Sequence, residues 1–287
     1  MNNDILSQLK KFTRLFLGMA VAFSAVAGYV IYAGRFSWHA WYVFFGVLFL
    51  ASAASALNQY QEIDSDALMQ RTQNRPLPSK KMKPKTAIFI IILLTMAGAA
   101  TLFWGANSIA AMLGLFNMFW YNVVYTILKK KTAYDVFIGA VIGAVNPMIG
   151  WTAAGGYMFS PVILAVAVFM FLWQVPHFWL LLLKFGKEYE AAGFPSIAPA
   201  SDEARIKFLI FIWLVITVAS TISFSFFHSI TNYYLLSVLW IFNILLVIFF
   251  TRTIFIKKVS FLFKPAFRSL YLYQVLVLVI LMINSII

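Results

Sequence analysis

Nine stretches of mainly apolar residues run along the chain, at roughly 15–33, 38–57, 86–104, 107–128, 134–154, 160–183, 206–227, 232–251 and 268–286. Each is close to the about 20 residues a helix needs to cross hydrocarbon. Lipid offers no water to a bare peptide group, so a spanning segment must satisfy its own N–H and C=O groups, as a helix does. The pattern predicts an all-α, multi-spanning membrane helical bundle of about nine transmembrane helices, as one membrane-embedded domain over 1–287. Asn117, Asn122 and Asn146 interrupt the fourth and fifth runs, and the eighth has room to extend to Ile256. The first run follows a polar stretch ending in Lys10, Lys11 and Arg14. Its length reads as a retained span, because a cleaved leader has a shorter apolar core.

Composition agrees. Hydrophobic residues make up 63% and charged residues 11% of the 287 positions; a soluble domain has about 45–50% and about 25%. A soluble fold of this length could not hide that much apolar surface, and no separate soluble domain is expected. The absence of cysteine excludes disulfides, thiolate metal centres and a cysteine nucleophile. His39, His177 and His228 are too scattered to form a histidine-rich metal site.

Charge orders the bundle. The net charge of +13 would point to nucleic acid in a soluble chain, but here no nucleic-acid partner is expected. With the N-terminus placed in the cytoplasm, all 22 lysines and arginines except Arg35 fall on one face, as the positive-inside rule requires. All nine acids fall on that face too, which the rule does not require. An odd number of spans puts the C-terminus outside. The polar connections at about 58–85 and 184–205 are the long ones, and long ordered loops tend to carry function.

Three constellations could carry chemistry. The first is Asn58-Gln-Tyr-Gln-Glu62-Ile-Asp64-Ser-Asp66, continuing to Arg71, Thr72 and Arg75. If the second helix runs on, Asn58, Glu62 and Asp66 share one face. Stacked oxygen ligands suit Mg²⁺, which bridges carboxylates to substrate phosphates. Arg71 and Arg75, one turn apart if helical, would match phosphate oxygens. A solvated loop with internal ion pairs is the competing reading. The second is Tyr125 and Lys129, followed by Lys130 and Lys131; a phosphate contact competes here with a plain topology signal. The third is Trp173-Gln174-Val-Pro176-His177-Phe-Trp179, running on to Lys184, Lys187, Glu188, Tyr189 and Glu190. A histidine at membrane depth is a functional candidate by default, against a histidine paired to a neighbouring helix.

In this order the segments resemble the UbiA superfamily of intramembrane prenyltransferases, and within it the heme O synthase (protoheme IX farnesyltransferase) branch. Asn58, Asp64, Asp66, Met69, Arg71, Thr72 and Arg75 match an Asn-x3-Asp-x-Asp-x-Asp-x2-Met-x-Arg-Thr-x-x-Arg signature. Tyr125 and Lys129 match a Tyr-x3-Lys element. Ile142–Trp151 is similar to a Gly-Ala-x-Pro-Pro-x-Ile-Gly-Trp stretch, and Trp173–Trp179 and Lys187–Pro195 match the segments associated with that branch. Glu62 and Glu188 stand where aspartates are usual, Asn146 replaces a proline, and Pro195-Ser-Ile-Ala-Pro199 departs from a Pro-x-Leu-Pro ending.

The resemblance implies transfer of a farnesyl group from farnesyl diphosphate to a vinyl group of haem b, at the cytoplasmic face of a cell membrane. It implies Mg²⁺ held by Glu62, Asp66, Asp64 and Glu188, with Asn58 and Tyr125 in the catalytic group. Arg71, Arg75, Lys129, Lys184 and Lys187 would bind diphosphate. His177, Trp173, Gln174 and Tyr189 would face the haem. It also implies a lipid-bilayer setting and association with haem A synthase or terminal oxidase assembly. The alternatives are a UbiA-type enzyme acting on a quinone-precursor aromatic acceptor, a membrane transporter, and a non-catalytic haem-handling protein. The clustering of acids at one end stands against a transporter, whose polar sites lie near the bilayer midplane.

Overall fold

A computed structural model describes residues 2–195, 202–256 and 262–287. Lys257 and Lys258 of the charge pattern and Pro199 of the motif comparison lie outside these residues. The described chain is helical throughout: α1 (Asn2–Phe12), α2 (Leu15–Ala33), α3 (His39–Gln61), α4 (Ile63–Leu68), α5 (Pro84–Gly105), α6 (Ser108–Phe119), a π-helical segment (Trp120–Tyr125), α7 (Thr126–Leu128), α8 (Asp135–Ala153), α9 (Pro161–Ala191), α10 (Glu203–Ser220), α11 (Ser223–Phe226), α12 (Tyr233–Phe255) and α13 (Phe263–Ile286). Among the described residues, nine helical stretches are long and apolar enough to cross a membrane. The second reaches Gln61, the sixth reaches Ala191 and the ninth begins at Phe263, all further into polar sequence than hydropathy alone places them. A helix need not stop where its side chains leave lipid.

Local signals set the ends. Pro84 and Pro161 occupy first-turn positions, where the missing N–H costs nothing. Asn107 caps α6 by accepting from Ala110 N, and Asn232 caps α12 by accepting from Tyr234 N and Leu235 N.

Packing between spans relies on small residues. A Cβ added at Gly28 would sit 1.9 Å from Pro147 O, and one at Gly150 would sit 1.7 Å from Ala25 O. The backbones of α2 and α8 therefore touch, as small residues allow in membrane bundles. Two main apolar clusters result. One draws on α2, α3, α6 and α8, the other mainly on α8, α9, α10, α12 and α13. Large apolar side chains such as Phe89, Met96, Phe116, Ile241 and Leu245 stay exposed, which suits faces bathed in lipid.

Candidate active site

At the charged end, α3 passes into α4 with one break at Glu62. Glu62 N donates to Asn58 O (3.1 Å) and Asp66 N to Glu62 O (2.7 Å), so helical spacing survives the break. Asn58, Glu62 and Asp66 are 1%, 5% and 1% exposed and line one cavity. Asp64, half a turn away, points to solvent.

Residues 69–80 form turns, so Arg71 and Arg75 do not stack along a helix; this corrects the helical spacing considered from sequence. Thr72 Oγ1 donates to Asp66 O (2.9 Å) and tightens the turn. Arg75 folds back onto Asp66, Nη1 to Oδ2 at 2.5 Å. Burial, and next the nearby Arg14, lower the Arg75 pKa, while Asp66 pulls it up. Arg71 goes the other way. Its guanidinium donates to Tyr189 Oη (3.1 Å) and lies 5.3 Å from the Phe185 ring centre, while its backbone N–H donates to Glu188 Oε2 (3.3 Å). The second and sixth connections are thus joined across the mouth.

The fourth span reaches this mouth through the π segment. Thr126 Oγ1 donates to Tyr121 O (2.8 Å), Asn58 Nδ2 donates to Thr126 Oγ1 (3.1 Å), and Asn122 Nδ2 donates to Ala54 O (3.0 Å). The wider turn brings Tyr121 and Tyr125 into a stack, 5.6 Å between centroids and 13° between planes. π-bulges of this kind recur at functional sites. Lys129 Nζ then lies 2.6 Å from Glu62 Oε1, yet that oxygen accepts no well-aligned hydrogen bond. The same ammonium is 5.3 Å from the Tyr125 ring and 5.8 Å from Phe194. Gly193, at φ +78°, takes the left-handed conformation that glycine tolerates and returns Phe194 to the mouth.

Deeper in, α9 and α13 build an aromatic wall. Trp173 stacks on His177 at 5.1 Å and 17°, and Phe267 and Tyr271 stand 4.8 and 5.1 Å from the imidazole. Trp173 Nε1 donates to Leu270 O (2.8 Å), pinning the indole. His177 Nδ1 is buried with no hydrogen-bond partner. Gln174 lies over Gly143, where a Cβ would meet Nε2 at 1.4 Å.

Asn58, Glu62, Asp66, Arg71, Arg75, Lys129, the tyrosine stack and the aromatic wall border one cavity of about 420 Å³, within the range of small-molecule sites. Below the charged mouth its lining divides by chemistry. Residues from α2, α3, α6 and α8 are small and aliphatic, such as Gly18, Val21, Leu50, Ala54 and Gly114. Residues from α9 and α13 supply the aromatic wall.

Residues 20–271 match the model of the UbiA prenyltransferase family. The chain belongs to this family. It is 37% identical over 206 residues to a protoheme IX farnesyltransferase of Geobacter sulfurreducens, covering 72% of this chain and 76% of that protein. It is 41% identical over 181 residues to one from Oleidesulfovibrio alaskensis, covering 61% and 62%. Several of these alignments span less than two thirds of the relative. The fold matches a UbiA homolog from Aeropyrum pernix K1 in its apo form (TM-score 0.72, 15% identity, 93% of this chain and 96% of that one). It also matches one from Archaeoglobus fulgidus bound to GPP and Mg²⁺ (TM-score 0.64, 13% identity, 96% and 99%). The protein is an integral multi-pass membrane enzyme of the prenyltransferase class, moving a prenyl chain to an acceptor.

Of the residues the sequence nominates in this UbiA chain, Asn58, Glu62, Asp66, Arg71, Arg75, Tyr125, Lys129, Trp173, Gln174, His177 and Tyr189 border the cavity. Asp64, Lys184 and Lys187 are exposed, and with Glu188 they stay off its lining. The Lys184 ammonium rests against the rings of Phe185 and Phe263 instead, 4.9 and 4.6 Å from their centres. Among the described residues no three acids or histidines gather as a ready metal cage. Glu62 and Asp66, both buried, with Asn58 beside them, fit an ion that takes few protein ligands and keeps oxygens from water and phosphate. The unaligned Glu62 Oε1 has acceptor capacity to give.

Sequence reasoning missed Arg14, Tyr121, Phe267, Tyr271 and Gln274, all on the cavity lining. Arg14 sits at φ +48°, unusual for a side-chain-bearing residue. Gln59 Nε2 fixes the turn before it by donating to Lys11 O (3.1 Å) and Phe12 O (2.7 Å). The i, i+4, i+7 spacing of Phe267, Tyr271 and Gln274 was the available signal for that wall.

Proposed function

We propose that this chain transfers the farnesyl group of farnesyl diphosphate to a vinyl group of haem b, giving haem O and pyrophosphate, at the cytoplasmic face of the cell membrane. The observation that carries this reading is one cavity with a carboxylate–cation mouth and a histidine-bearing aromatic wall. Relatives named protoheme IX farnesyltransferases support the acceptor. The two functional connections, 58–85 and 184–205, then belong to one membrane domain.

Glu62 and Asp66, with Asn58 alongside, would hold Mg²⁺, which supplies charge stabilisation for the departing diphosphate oxygen. Arg71, Arg75 and Lys129 bind the diphosphate, joined by Arg14. Glu188 acts on Arg71 by accepting its backbone N–H. The C–O bond of the donor breaks and its electron pair leaves with the diphosphate. Tyr125, Tyr121 and Phe194 present ring faces to the allylic cation. The haem vinyl group supplies the electrons for the new C–C bond. Water then adds to the cation left on the former vinyl carbon and loses a proton. Trp173, Phe267 and Tyr271 offer flat surfaces to the macrocycle, and His177 contacts its iron.

Mass spectrometry of haem from cells expressing and lacking this chain tests the reading. A hydroxyfarnesyl mass increment that depends on the chain supports it. Prenylation of a quinone-precursor aromatic acid with haem unchanged overturns the acceptor. Haem binding without pyrophosphate release overturns the chemistry.

A further inference from the structure

The aliphatic part of the lining carries a feature that prenyl transfer itself does not require. Asn117, on α6, donates from Nδ2 to Ile142 O (3.1 Å) and to Asn146 Oδ1 (2.9 Å). Its own Oδ1 is buried with no partner. Both asparagines are under one-tenth exposed and both border the cavity. Beside them Gly114 leaves space that Leu50 nearly fills, since an added Cβ would meet Leu50 Cδ1 at 2.7 Å.

The depth of this pair below the mouth follows from register. The Asn58–Thr126 and Ala54–Asn122 bonds align α3 with the fourth span. On that register Asn117 lies level with Phe49–Leu50, eight to nine residues from Asn58. At the α-helical rise this is about 12–14 Å. An extended isoprene unit adds four carbon–carbon bonds, about 5 Å, so three units reach about 15 Å and four about 20 Å. A three-unit tail entering from the mouth therefore ends on the asparagine pair, and a four-unit tail has to pass it. Passing means pressing methyl groups against carboxamides that they cannot satisfy, which is unfavourable.

We infer that Asn117 and Asn146 form a polar collar partway down the cavity that sets the length of prenyl donor this enzyme accepts. The inference rests on the prenyl-transfer reading but not on the identity of the acceptor.

The test compares geranyl, farnesyl and geranylgeranyl diphosphates as competing donors, with purified protein in detergent and haem b as acceptor. Geranyl diphosphate, too short to reach the pair, serves as each variant's internal standard. An Asn117→Leu/Asn146→Leu double variant removes the polar groups at similar volume. It should raise the kcat/KM ratio of geranylgeranyl over farnesyl diphosphate by about tenfold, the scale of a lost polar mismatch. Gly114→Leu, which fills space one turn beyond the pair, should shift preference the opposite way, lowering use of geranylgeranyl relative to farnesyl diphosphate. Unchanged donor ratios in variants that still use geranyl diphosphate would overturn the inference. Should wild-type protein transfer none of the three donors to haem, release of pyrophosphate with an aromatic acid would show the acceptor reading to have failed, and the same ratios are then read with that acceptor.

Discussion

The mouth and the aromatic wall of the cavity are built on opposite principles. At the mouth, charge meets charge before any ligand arrives: Glu62 faces Lys129 and Asp66 faces Arg75. At the wall, His177 sits among rings with its Nδ1 unpartnered. Buried ion pairs are poor sources of stability, because desolvation offsets much of their attraction. Their value here is that four charges are held in place and out of water with a net charge near zero. On the proposed reading, a Mg²⁺–diphosphate gives the carboxylates a new cation and the cations a new anion, so charge balance survives the exchange. The wall has no such exchange to make. It offers shape, stacking surface and one lone pair.

That difference can be broken experimentally. The largest effect should come at the mouth. Asp66→Asn keeps the shape but removes the charge, and should cut kcat for pyrophosphate release about 10³-fold, the scale of losing a charge-stabilising group. Retention of full activity would place the chemistry elsewhere.

A change at the wall should be smaller and fall on one substrate. His177→Phe keeps a ring but removes the lone pair. Loss of one contact worth about 1.4 kcal/mol should raise the acceptor KM about tenfold and leave the donor KM unchanged. Equal effects on both substrates would erase the division between the regions. A shift in the Soret band of bound haem in the variant reports the iron contact directly.

The smallest effect concerns the scaffold. Trp173→Phe leaves Leu270 O without its donor and should cost about 1–2 kcal/mol of stability. It should lower the unfolding temperature in detergent without altering the donor KM.

How far the sequence foretold this arrangement depends on the kind of signal. Hydropathy found all nine spans, because crossing lipid demands long apolar runs whatever the fold. The i, i+4, i+8 spacing correctly placed Asn58, Glu62 and Asp66 together, since the helical bonding pattern survives the break at Glu62. Asp64, also expected among the metal ligands, sits two residues on from Glu62 and is turned out to solvent instead. Arg71 and Arg75 were harder. Arg71 goes to Tyr189, distant in sequence, and Arg75 folds back through turns onto Asp66, so helical spacing predicts neither destination. The π segment was invisible because hydropathy does not register which carbonyl an N–H chooses. Arg14 was hidden among the basic residues that any inner membrane face attracts, and its left-handed backbone has no sequence marker. Phe267 and Tyr271 went unnoticed among the many aromatics of the spans, and the packing of α13 on α9 sets them against His177.

The central claim is that the paired charges at the mouth form a receptor for a metal-chelated diphosphate. Calorimetric titration of a non-reactive farnesyl diphosphate analogue into wild-type and Asp66→Asn protein tests it, with Mg²⁺ present and with the metal chelated. The expected result is wild-type binding at least about tenfold tighter with Mg²⁺ and an Asp66→Asn variant that has lost this metal dependence. Equal binding by wild-type protein with and without Mg²⁺ would contradict the account.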